Sequence, residues 1–493
     1  MALERYLTWS IALLFFLRLP FAVLLELSPQ EAYYWNYAIH PALSYFDHPP
    51  MVAWIIKPGT IIFGKTEIGV RIGGLLLTLF STWLIYLLGR LWFDRKAGLW
   101  AALLFQSIPL YFVYGTIITP DAPLIFFWLL TLYWLSIALL KDQKWAWYPA
   151  GVALGLAMLS KYTGIFLIPS ALLFLALDPR NRVWLLRKEP YWALVLAFLV
   201  FSPVILWNYQ HEWASFSFQF SARLSEQSTD FPRDSIAFLL TQMGALFPTL
   251  FVGLLVVMIV TARLSKAKHP AKWKLCFFFA FPTLIFFLFY SSRAWVKVNW
   301  TMPGYLSLLL TAYPIYRYVR FNGGAKLIVA VRRSLLATFY ALPILYGLGL
   351  YHMTATIPYV PLNKWVMAWE EFARIVDQEK KHFEAETRQG VILIAMDTHY
   401  VASALAFYTD RVDDVFARNL VGETSLAFGY WEARRDPKGL NALAVDTRSP
   451  NIEILRKHFD RVDDSVRTIP VVKGGTIIRR VHLVRCYGYR NSG

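Results

Sequence analysis

Apolar runs about as long as a membrane is thick recur along this chain, and they limit its fold more than any other feature. A helix crossing the hydrocarbon needs about 20 mostly apolar residues, because lipid offers the backbone no hydrogen-bond partners. Eleven windows qualify: roughly 7–26, 67–89, 97–115, 122–140, 146–159, 162–177, 191–209, 236–261, 275–290, 300–316 and 334–351. Only 16% of the residues are charged, against about 25% in soluble chains. A mainly α, polytopic membrane protein of about 11 spans is therefore expected. The fifth and sixth windows are short and interrupted by Ser160-Lys161-Tyr162, a break that a bundle interior tolerates.

The formal net charge of +17 raises the question of nucleic acid, but the basic residues are not gathered into a face. They cluster after every second window: Arg90, Arg95 and Lys96; Lys141 and Lys144; Arg180, Arg182, Arg187 and Lys188; Arg263, Lys266, Lys268, Lys272 and Lys274; Arg317, Arg320, Lys326, Arg332 and Arg333. That is how cytoplasmic loops look, and no recognition motif accompanies the charge, so a nucleic-acid partner is not expected. The N-terminus is then cytoplasmic, and loops 27–50, 116–121, 210–235 and 291–299 face outward. The first apolar stretch lacks a small-residue cleavage site and reads as an uncleaved span. Cys276 and Cys486 form no disulfide or metal pattern.

Near residue 352 the character changes, dividing the chain into a membrane domain, 1–351, and a domain of 352–493. Trp365, Trp369, Phe372, Val376 and Phe383 recur at helical spacing. Val391–Met396 and Ala442–Val445 read as buried strands. Thr468–Val472 and Thr476–Tyr487, joined by Lys473-Gly474-Gly475, read as a hairpin. After eleven spans this small α/β domain is expected outside the membrane.

The outward loops hold the residues suited to chemistry. The first carries Gln30, Glu31, Tyr34, Tyr45, Asp47 and His48 and has no Lys or Arg between 28 and 50; carboxylates beside a bilayer are costly unless something pairs or uses them. Asp121 opens the fourth span, where the structural alternative is a helix N-cap. His211 lies in an aromatic cluster at the end of the seventh. Arg293, Lys297 and Asn299 lie in the loop before the tenth, and cations are disfavoured in outer loops. A phosphate would compensate them; snorkelling towards lipid headgroups is the alternative. Lys161 and Arg71 are intramembrane cations and functional candidates on that ground, with pairing to Asp121 or Glu31 as the structural alternative. A divalent metal on Asp47 and His211 is a further option, without supporting helical His spacing.

QEAYYW, YFDHPPMVAWII, FGKTEIGVRIGG, TPDAPLIFFW, LSKYTGIFLIP, LWNYQHEWASFSFQ and VNWTMPGYL occur in this order over about 300 residues. Together they resemble the bacterial branch of the protein O-mannosyltransferase-like glycosyltransferases, related to the aminoarabinose transferases that modify lipid A. The resemblance implies the GT-C fold, a multi-pass inner-membrane location and an inverting transfer outside the cytoplasm. The implied donor is a polyprenyl-phosphate sugar. The acceptor would be lipid A or another glycolipid of the lipopolysaccharide layer, an envelope polysaccharide or a protein, and membrane lipids would surround the enzyme. It also implies an Asp-Glu pair in the first outer loop. Here Gln30 takes the Asp position, leaving Glu31, Asp47 or Asp121 as the base, or an acceptor already ionised that needs none. Lys161 matches a donor-phosphate lysine, and His48 stands where relatives place another. Arg71, Arg293 and Lys297 complete the expected phosphate group, with Gln30, Tyr34, Tyr45, His211 and Asn299 as substrate contacts. A transporter or lipid flippase is the alternative from another class; it would show matching broken helices in two halves, whereas only one interrupted pair is visible.

Overall fold

A computed structural model describes residues 2–219, 232–265, 271–322, 325–355, 366–410, 412–431 and 435–490. Trp365, Lys266, Lys268 and part of the 210–235 loop lie outside this set. The chain is a membrane protein: among the described residues, Leu3–Leu24, Glu67–Trp92, Asp121–Lys141, Glu189–Gln210 and Ala271–Tyr290 are long and apolar enough to span a bilayer. Helices Arg233–Leu246 and Pro248–Leu264 form a further apolar pair, bent by 106° at Phe247, whose φ is +71°. Proline sets this break and another: Pro248 and Pro109 each start a new helix, because proline cannot donate to the preceding turn. The 97–115 window accordingly falls on two helices, Arg95–Ser107 and Pro109–Tyr114. The last two windows fall on Met302–Asn322 and Ala325–Ala355.

Two compact units emerge. The first comprises Met1–Leu19, His48–Ile55 and Arg71–Gly347. Within it, helix Trp147–Ser160 lies tightly on helix Glu189–Gln210. A Cβ on Gly151 would stand 2.3 Å from the Ala193 carbonyl oxygen, and one on Gly155 would stand 2.6 Å from that of Ala197. This is the close approach that small residues four apart allow where lipid supplies little driving force for association.

The second unit comprises Pro20–Asp47, Ile56–Val70 and Leu348–Gly493. Its six strands are β1 (Val391–Ala395), β2 (Val415–Ala417), β3 (Asn441–Asp446), β4 (Phe459–Val462), β5 (Arg467–Lys473) and β6 (Thr476–Tyr489), in the order β2-β1-β3-β6-β4 with β5 also paired to β6. β1 runs parallel to both β2 and β3, and all five of its residues are buried, as a central strand covered on both faces requires. The hairpin is tighter than its sequence suggests. Lys473 pairs with Thr476, so the turn is Gly474-Gly475 alone, with φ of +56° and +75°, the conformation a two-residue hairpin demands. Trp369, Phe372, Val376 and Phe383 are buried along helix Trp369–Thr387. Helix Pro29–Ile39 packs beside helix Tyr400–Tyr408, where Trp35 meets Phe407 edge-on at 5.1 Å. Around it, Leu27 N–H donates to the Tyr408 hydroxyl (2.6 Å), which donates to Glu67 (3.1 Å). Lys65 Nζ donates to the Thr409 carbonyl (2.7 Å).

Candidate active site

In the first unit, helix Trp147–Ser160 stops at Lys161, whose extended backbone (φ −159°, ψ 142°) leads into a 3-10 turn, Tyr162–Phe166. The interruption expected at Ser160-Lys161-Tyr162 therefore exists, and it frees the Lys161 side chain from a helical path. Its Nζ donates to Asp121 Oδ1 at 2.7 Å, with the two side chains only 7% and 2% exposed. Asp121 is the first residue of helix Asp121–Lys141, not its cap; Pro120 occupies that place without a side-chain bond. The second carboxylate oxygen accepts from Asn299 Nδ2 (2.6 Å) and Thr119 Oγ1 (3.3 Å). Thus Asp121, Lys161 and Asn299, singled out separately in sequence, form one buried cluster. Asn299 Oδ1 is buried and bonded to no described group.

The other first-unit candidates are arranged differently. Arg71 is buried in helix Glu67–Trp92, and His48 is half-buried. Arg293 and Lys297 are exposed. His211 stacks on Trp207 at 3.9 Å and donates from Nδ1 to that residue's carbonyl (2.8 Å). Sequence reasoning also missed Gln242. This buried amide accepts from Thr301 (2.8 Å) and Tyr305 (3.2 Å) beside an apolar cavity of about 630 Å³, mouth included, lined by Leu254, Met258, Leu284 and Leu288.

The second unit holds the first-loop residues. Ser28 caps helix Pro29–Ile39, and Glu31, fully buried, closes a capping box: its Oε2 accepts from Ser28 N–H and Oγ at 3.0 Å each. The spacing Ser-x-x-Glu is the signature of that motif and was legible beforehand. Gln30 is half-buried beside it, and Tyr34 is buried. Asp47 Oδ1 accepts from the hydroxyls of Tyr33 (2.7 Å) and Tyr37, which lie one helical turn apart. Burial first, and the Asp47 charge second, push both phenols well above the usual tyrosine range. Tyr45 stacks on Tyr37 at 3.9 Å and donates to its carbonyl (2.7 Å). The Tyr33 hydroxyl also accepts from Ala427 N–H (3.0 Å), tying the first loop to the 426–431 turn. Among the described residues no group of three His, Cys, Asp or Glu is placed to hold a metal ion. Of the pair considered for one, Asp47 Oδ1 and His211 Nδ1 carry the hydrogen bonds given above.

Residues 47–207 match the family described as dolichyl-phosphate-mannose-protein mannosyltransferase. A lipid A galacturonosyltransferase, RgtD, of Rhizobium johnstonii is 23% identical over 61% of this chain and 63% of its own. An undecaprenyl phosphate-alpha-4-amino-4-deoxy-L-arabinose arabinosyl transferase of Proteus mirabilis is 26% identical over 59% of this chain and 54% of its own. The matched region thus spans less than two thirds of either relative. The crystal structure of ArnT from Cupriavidus metallidurans in the apo state matches 98% of both chains, with a TM-score of 0.66 at 16% identity. With that fold along its whole length, and that family match through the segment carrying Asp121 and Lys161, the chain has a GT-C fold and resembles the dolichyl-phosphate-mannose-protein mannosyltransferases.

Proposed function

We propose that this protein is an inner-membrane glycosyltransferase that moves a sugar from a polyprenyl-phosphate carrier to an acceptor outside the cytoplasm. The acceptor classes are lipid A or another glycolipid, an envelope polysaccharide or a protein; the name of the galacturonosyltransferase relative favours lipid A. The N-terminus is cytoplasmic, and the α/β domain lies on the acceptor side, following the basic loops.

One observation carries the reading: an ammonium group buried at a helix break and held by a single carboxylate. Burying an ammonium without a partner is costly, and Asp121 supplies the counter-charge at 2.7 Å. Only one of the three ammonium hydrogens is taken by a described protein group, so the others are available to phosphate oxygens. The acceptor oxygen attacks the anomeric carbon, the bond from that carbon to phosphate oxygen breaks, and both electrons leave with the polyprenyl phosphate. Lys161 meets the charge growing on that phosphate, the kind of electrostatic help that dominates many catalysed transfers. Asn299 Oδ1 is left to accept from a substrate hydroxyl. The apolar cavity beside Gln242 suits an isoprenoid chain. Glu31, Asp121 and Asp47 are the carboxylates available for the acceptor proton, each held by hydrogen bonds, unless the acceptor is already ionised and needs no base.

The test compares lipid A and envelope glycans, by mass spectrometry, from a deletion strain complemented with wild type or with Lys161→Ala. One sugar mass should disappear in the deletion, return with wild type and stay absent with Lys161→Ala. Identical spectra from all strains would refute the transferase.

A further inference from the structure

Within the second unit, a pocket of about 580 Å³, mouth included, opens between the end of helix Pro29–Ile39 and the segment running to Trp431. Trp431 and Phe428 supply aromatic wall, their rings 4.7 Å apart and steeply inclined. His40 lies flat on Trp431 at 4.4 Å. Asn36 lines the pocket although only 1% of it is exposed. Its Nδ2 donates to the Ala32 carbonyl at 2.8 Å, and no described protein group donates to its Oδ1. Asp413 and Asn419 line the same pocket and are exposed.

The lining selects the ligand. Among the described residues that line it there is neither Lys nor Arg, and Asp413 brings a carboxylate, so the described wall offers phosphate or carboxylate no counter-charge. A purely apolar ligand would leave the Asn36 amide oxygen dry and unpaired, at a cost of about 1–3 kcal/mol. A ring with aliphatic C–H faces and outward hydroxyls satisfies both halves of the wall: its face lies on aromatic carbon, and its hydroxyls donate to Asn36, Asn419 and Asp413. We propose that this pocket binds a neutral sugar ring. Binding in this pocket is separate from the transfer reaction and does not depend on it.

The test uses the full chain in lipid nanodiscs, since maltoside detergents would themselves bring sugar. Glucose, galactose, mannose and N-acetylglucosamine are titrated by saturation-transfer NMR, with galacturonate as the anionic comparison. At least one neutral sugar should saturate in the millimolar range, more tightly than galacturonate. Asn36→Leu and Trp431→Ala should each weaken it by about tenfold or more. Because Asn36 is buried and its variant can misfold, Asp413→Ala at the exposed rim serves as a second readout and should weaken binding by about threefold or more. The proposal fails if no neutral sugar saturates, if galacturonate binds best, or if Trp431→Ala and Asp413→Ala both bind like wild type. Binding here without transfer would leave the pocket standing and remove the transferase. Transfer without binding would do the reverse.

Discussion

Replacing Asp121 by Asn turns the group facing Lys161 from an anion into an amide and leaves the ammonium buried without its counter-charge. Both side chains are almost sealed from water, at 7% and 2% exposure, so solvent screening offers little relief. Breaking such a pair from one side costs about 3–5 kcal/mol. Lys161→Met strands the carboxylate instead, but Asn299 and Thr119 still donate to it, so this loss should fall towards the lower end. The double variant, Asp121→Asn with Lys161→Met, removes both charges and should be close to wild type in stability, because well-packed neutral groups often replace buried pairs at no net cost. The single-variant losses would then exceed the double, a coupling of several kcal/mol. The measurement is thermal unfolding of purified protein, paired with sugar transfer from a polyprenyl-phosphate donor. Recovered stability with turnover still absent is the expected result. A stable double variant that transfers sugar at the wild-type rate would show that the pair only holds helices together, and that the leaving phosphate is met elsewhere.

Glu31→Gln should cost about 0.5–2 kcal/mol of stability, the scale of a helix cap; a turnover loss near 10²-fold without that destabilisation would identify Glu31 as the base. Tyr33→Phe and Tyr37→Phe each remove a hydrogen bond to a carboxylate, worth about 1.5–3 kcal/mol. The pair together should raise the Asp47 pKa, and a carboxyl stretch unmoved in pH-difference infrared spectra would refute this. Burial raises the Asp397 carboxyl to about 6 from 3.8. The folded chain therefore keeps a proton that the unfolded chain sheds near pH 4, and the associated stability is lost as pH rises through 6. About 2 units at about 1.36 kcal/mol each bounds the effect near 3 kcal/mol. Asp397→Asn should melt higher than wild type at pH 7.5 and not at pH 4, since it removes the buried charge while its single amide oxygen keeps only one of the two bonds from the Tyr400 and Val401 amides; equal melting at both pH values would refute the burial argument. A periplasm-active reporter fused after Gly493 should be active, and activity from a cytoplasm-only reporter would invert the topology.

Local features carried well from sequence to structure, and pairings over long separations did not. The interruption at Lys161 and the hairpin could be read because each depends on a few adjacent residues. The partner of Lys161 could not be chosen between Asp121 and Glu31, since periodicity places residues on faces but does not say which faces meet. From sequence alone, an Asp opening a span reads first as an N-cap. Glu31 carries two readings at once: the Ser-x-x-Glu spacing marks it as part of a capping box, and the family resemblance marks it as a candidate base. Tyr33 and Tyr37 were hidden in an aromatic run that looks like an interface belt, and only their spacing of four showed that one group could bind both. Strands β2 and β4, of three and four residues, are too short to show a period, and the parallel ladder to β1 defines them.

The bond from Leu27 to Tyr408 joins residues 381 positions apart, and this sets an order of events during synthesis. At about 5–20 residues per second, helix Pro29–Ile39 waits roughly 20–80 s for the helix it packs against. Throughout that interval Trp35 and Leu27 lack the contacts they make with Phe407 and Tyr408, while the intervening helices enter the bilayer. A chain stopped before residue 400 would present the first loop intact in sequence yet without its fold. Pulse-labelled chains should accordingly gain protease protection across residues 20–47 only when the C-terminal sheet is complete, and protection arising earlier would mean that the loop folds on its own.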